Sequence, residues 1–139
     1  MAVSQISVFL ENKPGHLLHI LNIFETSGIN VRGFSTADTG DYGIARFVVD
    51  KPALALEMLR AQSCAAKESE VLCIRLPDRL GELARVIRIF AAAGINVIYS
   101  YTLVSNIIAI HTNNHAATEA SLKEHSIELV SQDEISAGA

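Results

Sequence analysis

The chain has 139 residues, half of them hydrophobic and 19% charged, with a formal net charge of −4. The acidic balance and scattered Lys and Arg argue against a nucleic-acid partner, which selects a basic patch. No apolar run reaches the roughly 18–20 residues that cross a bilayer, no signal-peptide pattern follows Met1, and Cys64 and Cys73 give no disulfide framework, so a reducing, cytoplasmic setting is expected.

Residues 4–10, SQISVFL, alternate Ile6, Val8 and Leu10 on one face, the period of a strand. Asn12-Lys13-Pro14-Gly15 breaks it, and Leu17, Leu18, Ile20, Leu21 and Phe24 follow at helical spacing over residues 15–27. Pro14 suits the first turn of that helix, and Gly28 a left-handed cap at its end. Residues 29–38 read as a second strand, Thr39-Gly40-Asp41 as a hairpin turn, and residues 43–49 as a third strand. A helix begins at Lys51-Pro52 and carries Leu54, Leu56, Met58 and Leu59; a weak strand over residues 64–68 completes β-α-β-β-α-β.

The same order then repeats. Residues 71–76 form a strand, 81–93 a helix, 95–104 a strand, with a tight turn at Ser105-Asn106. Residues 107–112 give a strand, 116–124 a helix, 127–131 a last strand, and 132–139 read as a polar tail. The repetition is direct: LENKPGHLLHILNIFETSGINV at 10–31 returns as LPDRLGELARVIRIFAAAGINV at 76–97. After the third strand the offset falls from 66 to 63, so the second hairpin is three residues shorter. A period of this length is a whole small domain. Two modules are expected, 1–69 and 70–139, each with the ferredoxin-like plan of an antiparallel sheet and two helices on one face. The fourth strand of the first should run almost directly into the first strand of the second. Modules so small, with a mean hydropathy of +0.30, should lean on further apolar contact, which favours an oligomer, expected to be a homodimer.

The candidate site is the loop after strand one together with the Gly-Ile-Asn after the helix. A loop feeding a helix start offers free N–H groups and the positive dipole end, a seat for a carboxylate. Asn12 and Asn30 carry amides that donate and accept, and Asp78 accepts from an ammonium group. A zwitterionic amino acid needs both. Other readings of these residues stand beside this one: Gly15 and Gly81 permit the strand-to-helix turn, and Asn12 and Asp78 suit helix N-caps. Gly28 and Gly94 suit helix C-caps, while Asn30 and Asn96 open buried strands and need partners.

These motifs, Asn12-Lys13-Pro14-Gly15-His16-Leu17 with Gly28-Ile29-Asn30-Val31, and Asp78-Arg79-Leu80-Gly81-Glu82-Leu83 with Gly94-Ile95-Asn96-Val97, resemble those of tandem ACT-domain proteins, small regulatory modules that bind amino acids. The resemblance spans almost the whole chain. It implies α+β modules that pair side by side with the effector where modules meet. Carried onto this chain, it places ligand contacts at Asn12 and Asn30, and at Asp78 and Asn96. Some relatives that bind a small polar amino acid place a His where Leu10 and Leu76 stand, so a larger, less polar ligand is expected here. The full candidate set is Leu10, Asn12, Lys13, Pro14, Gly15, His16, Leu17 and Asn30 in the first module, and Leu76, Asp78, Arg79, Leu80, Gly81 and Asn96 in the second.

Catalytic motifs are missing from the sequence: there is no nucleophile elbow, P-loop or Gly-x-Gly-x-x-Gly. His16 with His19, and His111 with His115, have helical or near-helical spacing but lack Cys or carboxylates at zinc-site spacing, so solvated or loop histidines are expected, with no metal and no cofactor. Tyr99 and Tyr101 alternate on one strand and suit an interface or stacking on a ligand, with interface packing the favoured reading. The expectation is a non-catalytic sensor of a free amino acid, acting through assembly or through a metabolic enzyme or regulator, with no nucleic acid or membrane partner. The competing expectations are an assembly subunit without a ligand, an RNA-binding module of the same fold plan, and an enzyme.

Overall fold

The structure, a computed structural model, describes residues 2–11, 13–38, 40 and 42–138. Two compact units emerge: one comprises Ser4–Ser69 with the segment from Asp133 onward, the other Glu70–Gln132 with Val3. Each is a βαββαβ unit.

In the first unit, β1 (Val3–Glu11) pairs antiparallel with β3 (Tyr42–Val49), which pairs antiparallel with β2 (Val31–Asp38). The first part of β4 (Ala66–Arg75) flanks β1, so the strand order is β2-β3-β1-β4. Opposing Ile6 to Phe47 and Val8 to Ala45 sends one side-chain set of both strands to the core. Helices α1 (His16–Thr26) and α2 (Pro52–Ala61) cover that set through Ile20, Ile23, Phe24 and Leu59. Phe24 meets Phe47 edge-on at 5.1 Å, the favoured aromatic geometry.

In the second unit, the later part of β4 takes the place of a first strand. It pairs antiparallel with β6 (Ile107–Thr112) and β7 (Glu128–Val130), and β5 (Val97–Thr102) lies beyond β6. Val86 and Phe90 of α3 (Glu82–Ala92) and Leu122 of α4 (His115–Glu124) close the core over Ile74 and Ile110. Asn114 caps α4 by accepting from the Ala117 N–H at 3.0 Å. The tight turn is where the sequence places it: Ser105 and Asn106 both have φ 60°, in a short loop closed by the Leu103 N–H donating to Ile107 O at 2.7 Å.

Several boundaries move. The expected strands at 64–68 and 71–76 are one uninterrupted strand, β4, because nothing in Ser69-Glu70 breaks extended backbone. The expected polar tail instead folds into α5 (Gln132–Ser136). Ile135, only 1% exposed, anchors it, and Asp133 and Glu134 sit in its first turn, where the helix dipole favours acids. Thr39 and Asp41 of the expected first hairpin turn lie outside the described residues. Among the described residues no helix is long and apolar enough to cross a membrane.

Candidate functional site

The repeated loop folds the same way twice. Lys13 N–H donates to Glu11 O at 2.8 Å, and Arg79 N–H to Pro77 O at 2.9 Å. Gly15 and Gly81 then take φ of 89° and 86°, a left-handed conformation that opens α1 and α3. These glycines are the N-cap residues, and neither helix start receives a side-chain cap. Asp78 is therefore not the cap of α3. Pro14 likewise precedes α1, which begins at His16. Asn12 lies outside the described residues.

A cavity of about 770 Å³ opens beside the first loop. Of the sequence candidates, Leu10, Lys13, Pro14, Gly15 and His16 line it. Phe9, Glu11, His19, Tyr42 and residues 62–65 complete it, drawn from β1, α1, β3 and the turn into β4. A smaller cavity of about 350 Å³ lies against the same loop and includes Leu10, Lys13, Leu17, Thr36 and Gly43.

The chemistry of the larger cavity is mixed. Lys13 Nζ lies 2.8 Å from Glu11 Oε2, with the two side chains 64% and 69% exposed. That hydrogen bond, and then the Lys13 charge, holds the Glu11 carboxyl below its ordinary range. The Glu11 N–H donates to His16 Nδ1 at 2.8 Å, which leaves the proton of a neutral imidazole on Nε2. Phe9 and Tyr42 form a tilted aromatic pair, 5.9 Å between centroids. Burial pushes the Cys64 thiol up, and the same effect takes the deeply buried Cys73 to about 12.

The equivalent cavity of the second unit, about 580 Å³, includes Arg75, Leu76, Pro77, Arg79, Arg85, Asn106, Ile127 and Glu128. By the repeat offsets, Arg75 replaces Phe9, Pro77 replaces Glu11, Glu82 replaces His16, Arg85 replaces His19 and Glu128 replaces Ala65. Ion pairs span this wall: Arg75 with Glu128, and Glu82 with Arg85 at 3.1 Å and Arg79 at 3.5 Å. Asp78 lines a neighbouring cavity of about 380 Å³ with Leu76, Arg79 and Leu83. Leu80 is fully exposed, and neither it nor Gly81 lines these second-unit cavities.

Asn30 and Asn96 are not brought to the loops of their own units. Eleven-residue helices separate them from Gly15 and Gly81, roughly 16 Å of rise. The Gly-Ile-Asn motif instead ends each helix. Gly28 N–H donates to Glu25 O and Ile29 N–H to Phe24 O, and Gly94 and Ile95 repeat this with Ala91 and Phe90. That is the Schellman pattern, with glycine at the left-handed position. The Asn backbone is then clipped to the next strand end. Asn30 N–H donates to Asp50 Oδ1 at 2.8 Å, and Asn96 N–H to Asn113 Oδ1 at 3.1 Å. Both asparagine residues are exposed.

His111 and His115 differ from the expected solvated or loop histidines. They share a hydrogen bond, Nδ1 to Nε2, at 3.0 Å, and Tyr99 stacks on His111 at 4.9 Å. Among the described residues no group of three or more His, Cys, Asp or Glu is placed to hold a metal ion.

The family model described as an ACT domain pair matches residues 1–138. Protein BT0572 from Bacteroides thetaiotaomicron, a solved structure, superposes with a TM-score of 0.92 at 29% identity, over 98% of this chain and 96% of that one. The regulatory subunit of aspartate kinase from Thermus thermophilus, in its ligand-free form, gives 0.61 at 19%, over 86% and 87%. A C-terminal domain from Porphyromonas gingivalis, described as a regulatory domain of aspartate kinase, gives 0.56 at 19%, over 90% and 89%. At 19% identity these last two share the fold. No curated protein sequence matches.

Proposed function

The chain belongs to the ACT domain family, and on that premise we propose that it is a non-catalytic regulatory protein that senses a free amino acid at the loop after β1. The observation that carries this reading is the first-unit cavity. It lies against the loop that the sequence singles out, beside a helix start with no side-chain cap, and presents complementary charges. Lys13, the His16 ring and the α1 N-terminus suit a carboxylate, and Glu11 suits an ammonium group.

The sites of the second unit, at Leu76, Asp78 and Arg79, belong to the same proposal as weaker or interface-building counterparts. In this proposal Asn30 and Asn96, exposed at the far helix ends, contribute to the loop of another module rather than their own. A homodimer provides such a module. Leu18 and Leu83, each more than half exposed on helices, are apolar surface for it to cover. Output then passes through assembly or a cytoplasmic enzyme or regulator, since a ligand acts only through its different affinity for two states.

Thermal denaturation with each of the twenty amino acids tests the reading. A ligand at a hundredfold excess over Kd adds about 2.7 kcal/mol to stability, several degrees in melting temperature. At least one amino acid should give such a shift. A flat panel refutes the sensor and leaves assembly as the function.

A further inference from the structure

We infer that the first-unit cavity selects α-amino acids with a large apolar side chain, aromatic ones first, and that Phe9 and Tyr42 set this selectivity. The inference rests on the amino-acid reading above and names the ligand class.

Three observations converge. The first is strand register. Glu11 opposes Tyr42 and Phe9 opposes Ile44 across β1 and β3, so Phe9, Glu11 and Tyr42 share one face of the pair. That face is opposite to the one that sends Ile6 and Val8 into the core. A carboxylate, its Lys13 partner and two rings therefore lie together on the wall of one cavity.

The second is the state of those groups. Phe9 and Tyr42 are 46% and 48% exposed, a poor resting place for two aromatic rings unless something covers them. Their tilted arrangement at 5.9 Å leaves ring surface for a third ring in an offset or edge contact. The Glu11–Lys13 pair is mostly solvated, so opening it costs little. A zwitterion fits between its two charges, ammonium to Glu11 and carboxylate to Lys13, and the ligand side chain then falls toward the rings.

The third is the internal control that the repeat supplies. The second cavity has Arg75 where Phe9 stands, and Arg75 is tied to Glu128. Pro77 replaces Glu11, which removes that acceptor for an ammonium group, and the carboxylate this cavity does hold, Glu128, is the one tied to Arg75. Both features that define the first cavity are missing from its counterpart, so the chain should bind one such ligand.

The test is isothermal titration of the full chain with L-phenylalanine, L-tyrosine, L-leucine, L-methionine, L-serine, L-aspartate and L-lysine, followed by the rest of the twenty. Phenylalanine is expected to bind at least about tenfold more tightly than serine, with one site per chain. 3-Phenylpropionate and phenethylamine, each lacking one charge of the zwitterion, should each lose about tenfold or more. Phe9→Ala and Phe9→Arg should each weaken phenylalanine by about tenfold while leaving the far-ultraviolet spectrum unchanged; if either misfolds, Tyr42→Leu makes the same test. Serine, aspartate or lysine binding as tightly as phenylalanine would overturn the inference and leave the amino-acid reading intact. Unchanged phenylalanine affinity in folded Phe9 and Tyr42 variants would also overturn it. No binding by any of the twenty would overturn both.

Discussion

Replacing Gly15 with alanine probes the loop that builds the site, and its cost follows from two features of the structure. The residue has φ 89° and ψ −15°, and an added Cβ meets nothing within 4 Å. No clash with the rest of the chain is involved, so the whole penalty is that of the local backbone conformation. Forcing an L residue into the left-handed region costs about 1–2 kcal/mol. Alanine has less freedom than glycine in the unfolded chain, which offsets about 0.4–1 kcal/mol. The net loss is about 1 kcal/mol, measured as a lowered midpoint of urea unfolding at unchanged slope. Gly81, with φ 86° and equally open space, should lose the same amount, and Gly15→Asn should lose less, because asparagine visits this region more readily. A loss under about 0.3 kcal/mol, or asparagine costing as much as alanine, would refute the conformational account of the loop.

Four further outcomes are expected. Phe24→Ala removes a fully buried ring from the Phe47 contact and should cost about 3–5 kcal/mol, read by denaturant titration. Glu11, held low by Lys13, contributes its interaction above the ordinary carboxylate range and loses it as pH falls through the lowered value; its NMR titration midpoint should rise in Lys13→Met. Cys73 is raised from 9.0 to about 12, so its contribution is complete below pH 9 and lost as pH rises toward 12, because the unfolded thiol ionises first. Cys73→Ala should flatten that alkaline decline in melting temperature. In native protein Cys64 should be alkylated well before Cys73, and bound ligand should protect it, since Cys64 lines the cavity.

Most of the fold is legible in the residues because the repeat states each element twice. Alternating Ile6, Val8 and Leu10, the helical spacing of Leu17 to Phe24, and the glycine at 28 all act locally and recur sixty-six residues later. The helix α5 is hidden, since a single buried Ile135 among polar neighbours has no period. The loop of the site is legible for the same local reasons, but its cavity is not. Phe9, Tyr42 and Cys64 come from separate elements, and only the pairing of β1 with β3 and β4 sets them beside the loop. The Asn30 and Asn96 partners are equally nonlocal: Asp50 and Asn113 lie 20 and 17 residues away. Sequence shows the glycine of the Schellman turn but not the strand end that clips the asparagine after it.

The central claim is that an amino acid binds at the first-unit loop, and backbone amide NMR during titrations with each of the twenty amino acids, L-phenylalanine first, tests it most directly. The account predicts saturable shifts centred on Phe9 to His19, Tyr42 and Gln62 to Ala65, with Pro77 to Leu83 of the second unit moving little. Shifts centred on the second-unit loop, or none at millimolar ligand, would contradict it.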